Sequence, residues 1–187
     1  NLTWVVDDFT VRAVYGQTKI TVSSSNQPDA QVISEKNKSD FLGAGFSYDN
    51  GSLLLVSEVT RATVEGEYSD VDSGYLTLGY RFGKAMPYGT VAGMKTQDDD
   101  EREGKFVCIS DCFSTTPGLL PTSYIYDGKR TSYSLGLRYE LLSNLAVKFD
   151  ATLVNGFGDT NGLLASKVAG ATEDSTTVYS IVFDGVF

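Results

Sequence analysis

The sequence predicts an all-β fold, an antiparallel transmembrane β-barrel of eight strands. Three observations lead there. Apolar and polar residues alternate with period two in eight segments, the connections between them alternate between long and short, and charges collect on one phase of the strands while the other stays apolar.

The first segment covers residues 8–22, where Phe9, Val11, Ala13 and Tyr15 interleave with Thr10, Arg12, Val14 and Gly16. The second, residues 41–48, ends at Asp49-Asn50-Gly51, which accept the positive φ that a tight hairpin needs. A third follows at once over residues 52–65. After a short acidic loop, Tyr75-Leu76-Thr77-Leu78-Gly79-Tyr80-Arg81-Phe82 alternates most cleanly and runs into the turn Gly83-Lys84-Ala85. The fifth segment, residues 86–96, leads into a long polar stretch. The sixth, residues 131–140, turns through Leu141-Leu142-Ser143-Asn144 into the seventh, residues 145–155, and a last loop precedes the eighth, residues 176–187.

Four longer loops therefore fall on one side and three tight turns on the other. Membrane barrels of this kind have short turns at one rim, long loops at the other, and an even number of strands of about ten residues. Counting from an N-terminus at the short-turn rim puts every long loop outside and Phe187 back at the short-turn rim.

Alternation alone does not say which phase faces inward, because a soluble ligand-binding barrel alternates equally well with its apolar phase inside. The charged phase is expected to carry Arg12, Glu58, Arg81, Lys95, Arg138, Glu140, Lys148, Asp150 and Asp184. The opposite phase carries Leu53, Leu55, Val59, Leu76, Leu78, Leu135, Leu137, Val147, Phe149, Leu153, Ile181 and Phe183. Aromatic residues near the segment ends, Tyr48, Tyr80, Phe82, Tyr88, Tyr139 and Phe187, read as a girdle at a membrane interface and favour the lipid-facing assignment of the apolar phase.

Composition narrows the chemistry. The longest unbroken apolar run has four residues, as in Leu53-Leu54-Leu55-Val56, so a membrane-spanning helix, which needs about 20, is excluded. A net charge of −9 argues against nucleic acid as a partner, since phosphate neutralisation needs clustered Lys and Arg. The chain has no His, which removes Ser-His and Cys-His catalysis and the commonest metal ligand, and no cofactor motif appears. Asp98-Asp99-Asp100-Glu101-Arg102-Glu103 is acidic but lacks the spaced ligands of a calcium loop, and reads as a solvated loop with no metal. Glu58, Glu140, Asp150 and Asp184 share their phase with Arg12, Arg81, Arg138 and Lys148, so mutual neutralisation is expected rather than acid/base work. An enzyme is not expected. Cys108 and Cys112, an even count in a strand-rich chain, are expected to form a disulfide. No secretory leader is visible ahead of the first segment, as expected of a processed chain or one whose front was removed.

The closing segment Val178-Tyr179-Ser180-Ile181-Val182-Phe183-Asp184-Gly185-Val186-Phe187 resembles the last strand of outer-membrane barrels, with aromatic or aliphatic residues at alternate positions and a terminal Phe. Residues 75–88 resemble a strand-turn-strand of Gram-negative porins, and Leu135-Gly136-Leu137-Arg138-Tyr139-Glu140 with Leu145-Ala146-Val147-Lys148-Phe149-Asp150 is similar to the penultimate porin hairpin. The resemblance is to the C-terminal half of a porin of about sixteen strands. It implies location in the outer membrane, passive diffusion of small hydrophilic solutes, and surroundings of outer-membrane lipid and lipopolysaccharide. It also implies that Tyr179, Ile181, Phe183 and Phe187 form the signal read by the barrel-assembly machinery, and it leaves a homo-oligomer open. The strand count supports an alternative, a closed eight-stranded barrel whose lumen is filled by its own charged side chains and which serves as anchor, adhesin or structural protein.

The cysteine expectation is directly testable. The unreduced, denatured protein should show no alkylatable thiol at Cys108 or Cys112, and two reactive thiols would refute the bond. Its small ring should contribute only about 1–2 kcal/mol in the chain-entropy account.

Overall fold

The computed structural model of the 187-residue chain describes residues 1–23, 32–66, 68–97, 105–110, 118–121, 126–160, 162–163 and 174–186. It is all-β. The elements in chain order are β1 (Leu2–Val6), β2 (Phe9–Ser23), β3 (Val32–Asp49), β4 (Leu53–Val64), β5 (Val71–Tyr80), β6 (Ala85–Thr96), β7 (Phe106–Ser110), β8 (Gly118–Pro121), β9 (Lys129–Leu142), β10 (Leu145–Asn155) and β11 (Ser175–Gly185). Nine of them form one antiparallel sheet in the order β1-β2-β3-β4-β5-β6-β9-β10-β11, and β7 and β8 pair separately within the long polar stretch.

The sheet has nine strands where the sequence reading expects eight. The additional strand is β1, whose Leu2-Thr3-Trp4-Val5-Val6 is too short and too uniformly apolar to alternate legibly; it pairs with β2 from Leu2 opposite Ala13 to Val6 opposite Phe9. Its turn, Asp7-Asp8, works because Asp tolerates the left-handed region, and Asp7 has φ of 48°. The other short turns follow the same chemistry. At Asp49-Asn50-Gly51-Ser52, Gly51 has φ of 84°, and Asn50 Oδ1 accepts from the amides of Ser52 at 3.0 Å and Leu53 at 2.8 Å. At Gly83-Lys84, Phe82 and Ala85 exchange both backbone hydrogen bonds around Gly83, whose φ is 59°.

The chain direction reverses at every pairing, so β1 and β11 run the same way, each from the long-loop end to the short-turn end. The first strand therefore runs towards the short turns rather than away from them as expected from eight strands; being only five residues long, it starts opposite Ala13, four residues from the turn end of β2 at Phe9 (13 − 9). Strands β1 and β11 are the two edges and do not pair with each other; Arg12 and Asp184, which would be neighbours if the eight expected strands closed on themselves, lie far apart in the strand order, on β2 and β11.

The register is staggered. Phe9 lies opposite Tyr48, Tyr48 opposite Leu55, Leu55 opposite Leu78, Leu78 opposite Gly89, and Gly89 opposite Leu135. Phe9 is the first residue of β2, whereas Leu135 is seven residues short of the turn end of β9 at Leu142 (142 − 135). Rows of hydrogen bonds thus climb away from the turns across the sheet, the stagger that tilted strands in a barrel wall require.

A single-layer sheet leaves almost no core. Among the described residues, the buried apolar side chains are Ala146, Val147, Val154 and Phe157. Exposure instead alternates with face. From Thr90 to Thr96 on β6, Ser132 to Tyr139 on β9 and Lys148 to Val154 on β10, every residue on the polar-phase face is at least half-buried and every residue on the other face is exposed. The exposed face carries Leu76, Leu78, Leu135, Leu137, Phe149, Leu153, Ile181 and Phe183, with Leu135 76% exposed. Globular sheets do the opposite. No helix among the described residues is long and apolar enough to cross a membrane, which has no bearing on spanning by strands.

Cys108 lies on β7 and Cys112 outside the described residues; no disulfide is present among the described residues, and the expected bond falls outside them. The acidic run 98–103 and Phe187 also lie outside them.

Arg in place of Leu78 or Leu137 should cost about 2–4 kcal/mol in urea titration of the chain folded in lipid vesicles, because both side chains stand on the exposed apolar face. Unchanged stability in both variants would mean that this face meets water.

Candidate functional site

The site is the polar face of the sheet. Residues directly opposite in register share a face, so the rows assign each side chain. Arg12, Gly45, Glu58 and Tyr75 form one row, and Tyr88, Gly136, Asp150 and Ser180 form another. By the same reasoning Arg81, Arg138, Glu140, Lys148 and Asp184 share that face. Lys95 does not. It pairs with Asp72 on one side and Lys129 on the other, in the row that includes Arg61, on the apolar-phase face at the loop end. In β6 neither phase is distinctly apolar, since Met86, Tyr88, Thr90, Ala92 and Met94 face Pro87, Gly89, Val91 and Gly93, and the charge of Lys95 misled the assignment.

Tyr88 is the second correction. It belongs to the polar face, not to the aromatic girdle, and its hydroxyl donates to Asp150 Oδ1 at 2.5 Å. The reach spans two strands, from β6 over β9 to β10, and Gly136 makes it possible: a Cβ there would collide with both the Tyr88 ring and the Asp150 carboxylate. Ser180 on β11 donates to the other carboxylate oxygen at 3.4 Å. Of the other girdle residues, Tyr48, Tyr80, Phe82 and Tyr139 lie on the apolar face near the short turns. Tyr80 and Phe82 stack at 4.6 Å, and Phe9 packs against Tyr48 at 4.7 Å and Phe46 at 6.0 Å.

Below this pair lies an ion-pair cluster. Asp184 on β11 accepts from Arg138 Nη1 of β9 and from Lys148 Nζ of β10, both at 2.9 Å. At the β3–β4 turn, the Arg81 guanidinium binds Asp49 bidentately at 2.6 and 2.8 Å. Arg12 and Glu58 flank Gly45 without an ion pair between them among the described residues. Hydroxyl pairs close the wall between the charges, Thr60 with Ser73 at 2.7 Å, Thr77 with Thr90 at 2.8 Å, and Ser134 with Thr152 at 2.8 Å.

Two charged residues of this face escape sequence reasoning, Asp49 at a turn and Arg130 at the mouth of the long stretch. Arg130 donates to the Gly162 carbonyl at 3.0 Å. With Lys95 removed and these two added, the face carries five cations (Arg12, Arg81, Arg130, Arg138, Lys148) and five anions (Asp49, Glu58, Glu140, Asp150, Asp184) among the described strand and turn residues, a balance of zero. No group of three or more His, Cys, Asp or Glu among the described residues is placed to hold a metal ion. The closing-strand residues Tyr179, Ile181 and Phe183 stand on the opposite, apolar face of the edge strand β11 and are exposed.

The Tyr88–Gly136–Asp150 arrangement predicts a specific coupling. Gly136→Ala should displace Tyr88 and cost about 1–3 kcal/mol in urea unfolding. Once Tyr88→Ala has removed the ring, the same change should cost far less, which a double-mutant cycle measures; strictly additive costs would sink the account. No family model matches the chain, and comparison with curated proteins and with solved structures finds no match.

Proposed function

We propose that this chain forms part of the wall of a porin-type β-barrel in the outer membrane, along whose polar face small hydrophilic solutes diffuse passively. The observation that carries the reading is the inverted exposure pattern: the charged and hydroxylated face is the less exposed one, and the face rich in Leu, Phe, Tyr and Ile is open. In hydrocarbon such an arrangement is favourable, since lipid covers the apolar face and the backbone hydrogen bonds between neighbouring strands are made within the sheet, leaving only the two edges β1 and β11 to be paired on closure. The staggered rows, the short turns at one end, the aromatic residues beside them and the porin-like closing segment support the same reading.

Parity bears on the size of the barrel. Strands β1 and β11 run in the same direction, so antiparallel closure requires an odd number of strands besides these nine. Seven would complete sixteen, the width at which a barrel holds a water-filled channel. The alternative reading, a small closed barrel filled by its own side chains, has the Arg138–Asp184–Lys148 cluster in its favour, but it needs first and last strands that run in opposite directions.

On this reading the protein purified from its own membrane acts as no enzyme. Planar-bilayer recording should give stepwise conductance that rises with bulk salt and discriminates weakly between K⁺ and Cl⁻, because the wall charges balance. Replacing both Arg138 and Lys148 by Glu should shift the reversal potential towards cation selectivity, more strongly at low salt. A protein that inserts but never conducts would overturn the channel reading.

A further inference from the structure

A furrow of about 650 Å³ crosses the loop end of the sheet on the apolar-phase face. Its floor is made by Gly74 and Gly93, which are opposite each other on β5 and β6 and place no side chain on the surface. Val59 of β4 and Thr131 of β9 stand at either side in the same row, so the trough is roughly 14 Å across, three strand spacings. Leu42 and Val59 form an exposed apolar wall, 58% and 59% open. Nothing needs Gly93 to be glycine for backbone reasons; a Cβ there would meet only the Arg130 carbonyl at 3.9 Å.

The rim towards the loops is cationic. In a chain whose net charge is −9, the charged groups lining the furrow are Arg61, Lys95, Lys129, Arg130 and a single carboxylate, Asp72. Arg61 takes both oxygens of that carboxylate, at 2.6 and 2.5 Å. Arg130 belongs to the other face and is bonded to the Gly162 carbonyl. Lys95 and Lys129 are left, directly opposite each other on β6 and β9, both exposed and without an ion-pair partner among the described residues. Like charges directly opposite on one face destabilise a sheet. An anion between the two ammonium groups removes that cost.

We infer that this furrow binds a phosphorylated membrane lipid, with acyl chain laid over Gly74 and Gly93 between the apolar wall and Thr131, and phosphate held by Lys95 and Lys129. The inference rests on the membrane-barrel reading and deepens it by naming a lipid class and its seat. Lysines that merely snorkel to a membrane interface would show no preference for phosphate and no dependence on the glycine floor.

The test uses the full chain folded in phosphatidylcholine vesicles doped with bisphosphorylated lipid A, with retained lipid counted by native mass spectrometry. The wild-type chain should retain lipid A over its dephosphorylated form, and millimolar inorganic phosphate should not displace it. Lys95→Ala with Lys129→Ala should weaken retention about 30-fold, two charges each worth roughly fivefold near a membrane surface. The double Arg variant should keep binding, Gly93→Leu should lose it with charge unchanged, and Lys84→Ala at the opposite rim should have no effect. Insertion with equal retention of both lipid forms, or retention unaffected by the Ala and Leu variants, overturns the lipid site alone. Displacement by free phosphate assigns the lysines to an ordinary anion site and overturns it too. Failure to insert at all overturns the membrane reading, and the lipid site with it.

Discussion

Everything in this fold depends on backbone hydrogen bonds that run unbroken from β1 to β11 in a sheet without a second layer. A sheet ordinarily buries one face against helices or another sheet, and the free energy of that burial offsets much of the entropy lost in ordering the chain. Here the described residues supply four buried apolar side chains. The ladders satisfy the peptide groups, but the favourable transfer of Leu135, Phe149, Ile181 and their neighbours out of water must come from the surroundings. That one constraint explains why the apolar residues are aligned on one phase over strand after strand, and why charge on that phase is confined to the loop end and the rims.

The polar face obeys a complementary constraint. Charges placed on a less exposed surface must find partners locally, and they do so across strands. Asp184 gathers Arg138 and Lys148, Arg81 grips Asp49, and Asp150 collects Tyr88 and Ser180. A side chain at position 136 would block the Tyr88–Asp150 contact, which reaches from β6 over β9 to β10, so a residue with no side chain sets the position of the large Tyr88 ring on that part of the face.

Much of this was legible in the residues. The seventh expected segment coincides with β10, and every apolar-phase residue from Leu53 to Phe183 lies on the face assigned to it, because long runs of alternation leave only one way to orient a strand. The failures are equally physical. Strand β1 has too few residues to show a period, and β3 begins at Val32 rather than near Phe41 because residues 34–40 are polar on both phases. Lys95 and Tyr88 were misplaced because β6, rich in Gly, Ala, Thr and Met, carries no phase of its own; its orientation comes from pairing with β5 and β9, which only the register reveals. Tyr88 could have been found from the small residues that would surround its ring, but its partner lies 62 residues away on β10.

The odd number of strands has a consequence for how such a wall is put together. Hairpins contribute strands in pairs, so adding whole hairpins to nine strands leaves an odd total, and the two free edges keep pointing the same way. An intermediate of this kind has no antiparallel route to sealing itself, however large it grows. Both edges stay receptive until an unpaired strand arrives. On the proposed barrel reading, parity would act as a lock against premature closure, since the two edge strands, β1 with the exposed Trp4 and β11 with the exposed Tyr179, run the same way and cannot pair antiparallel with each other.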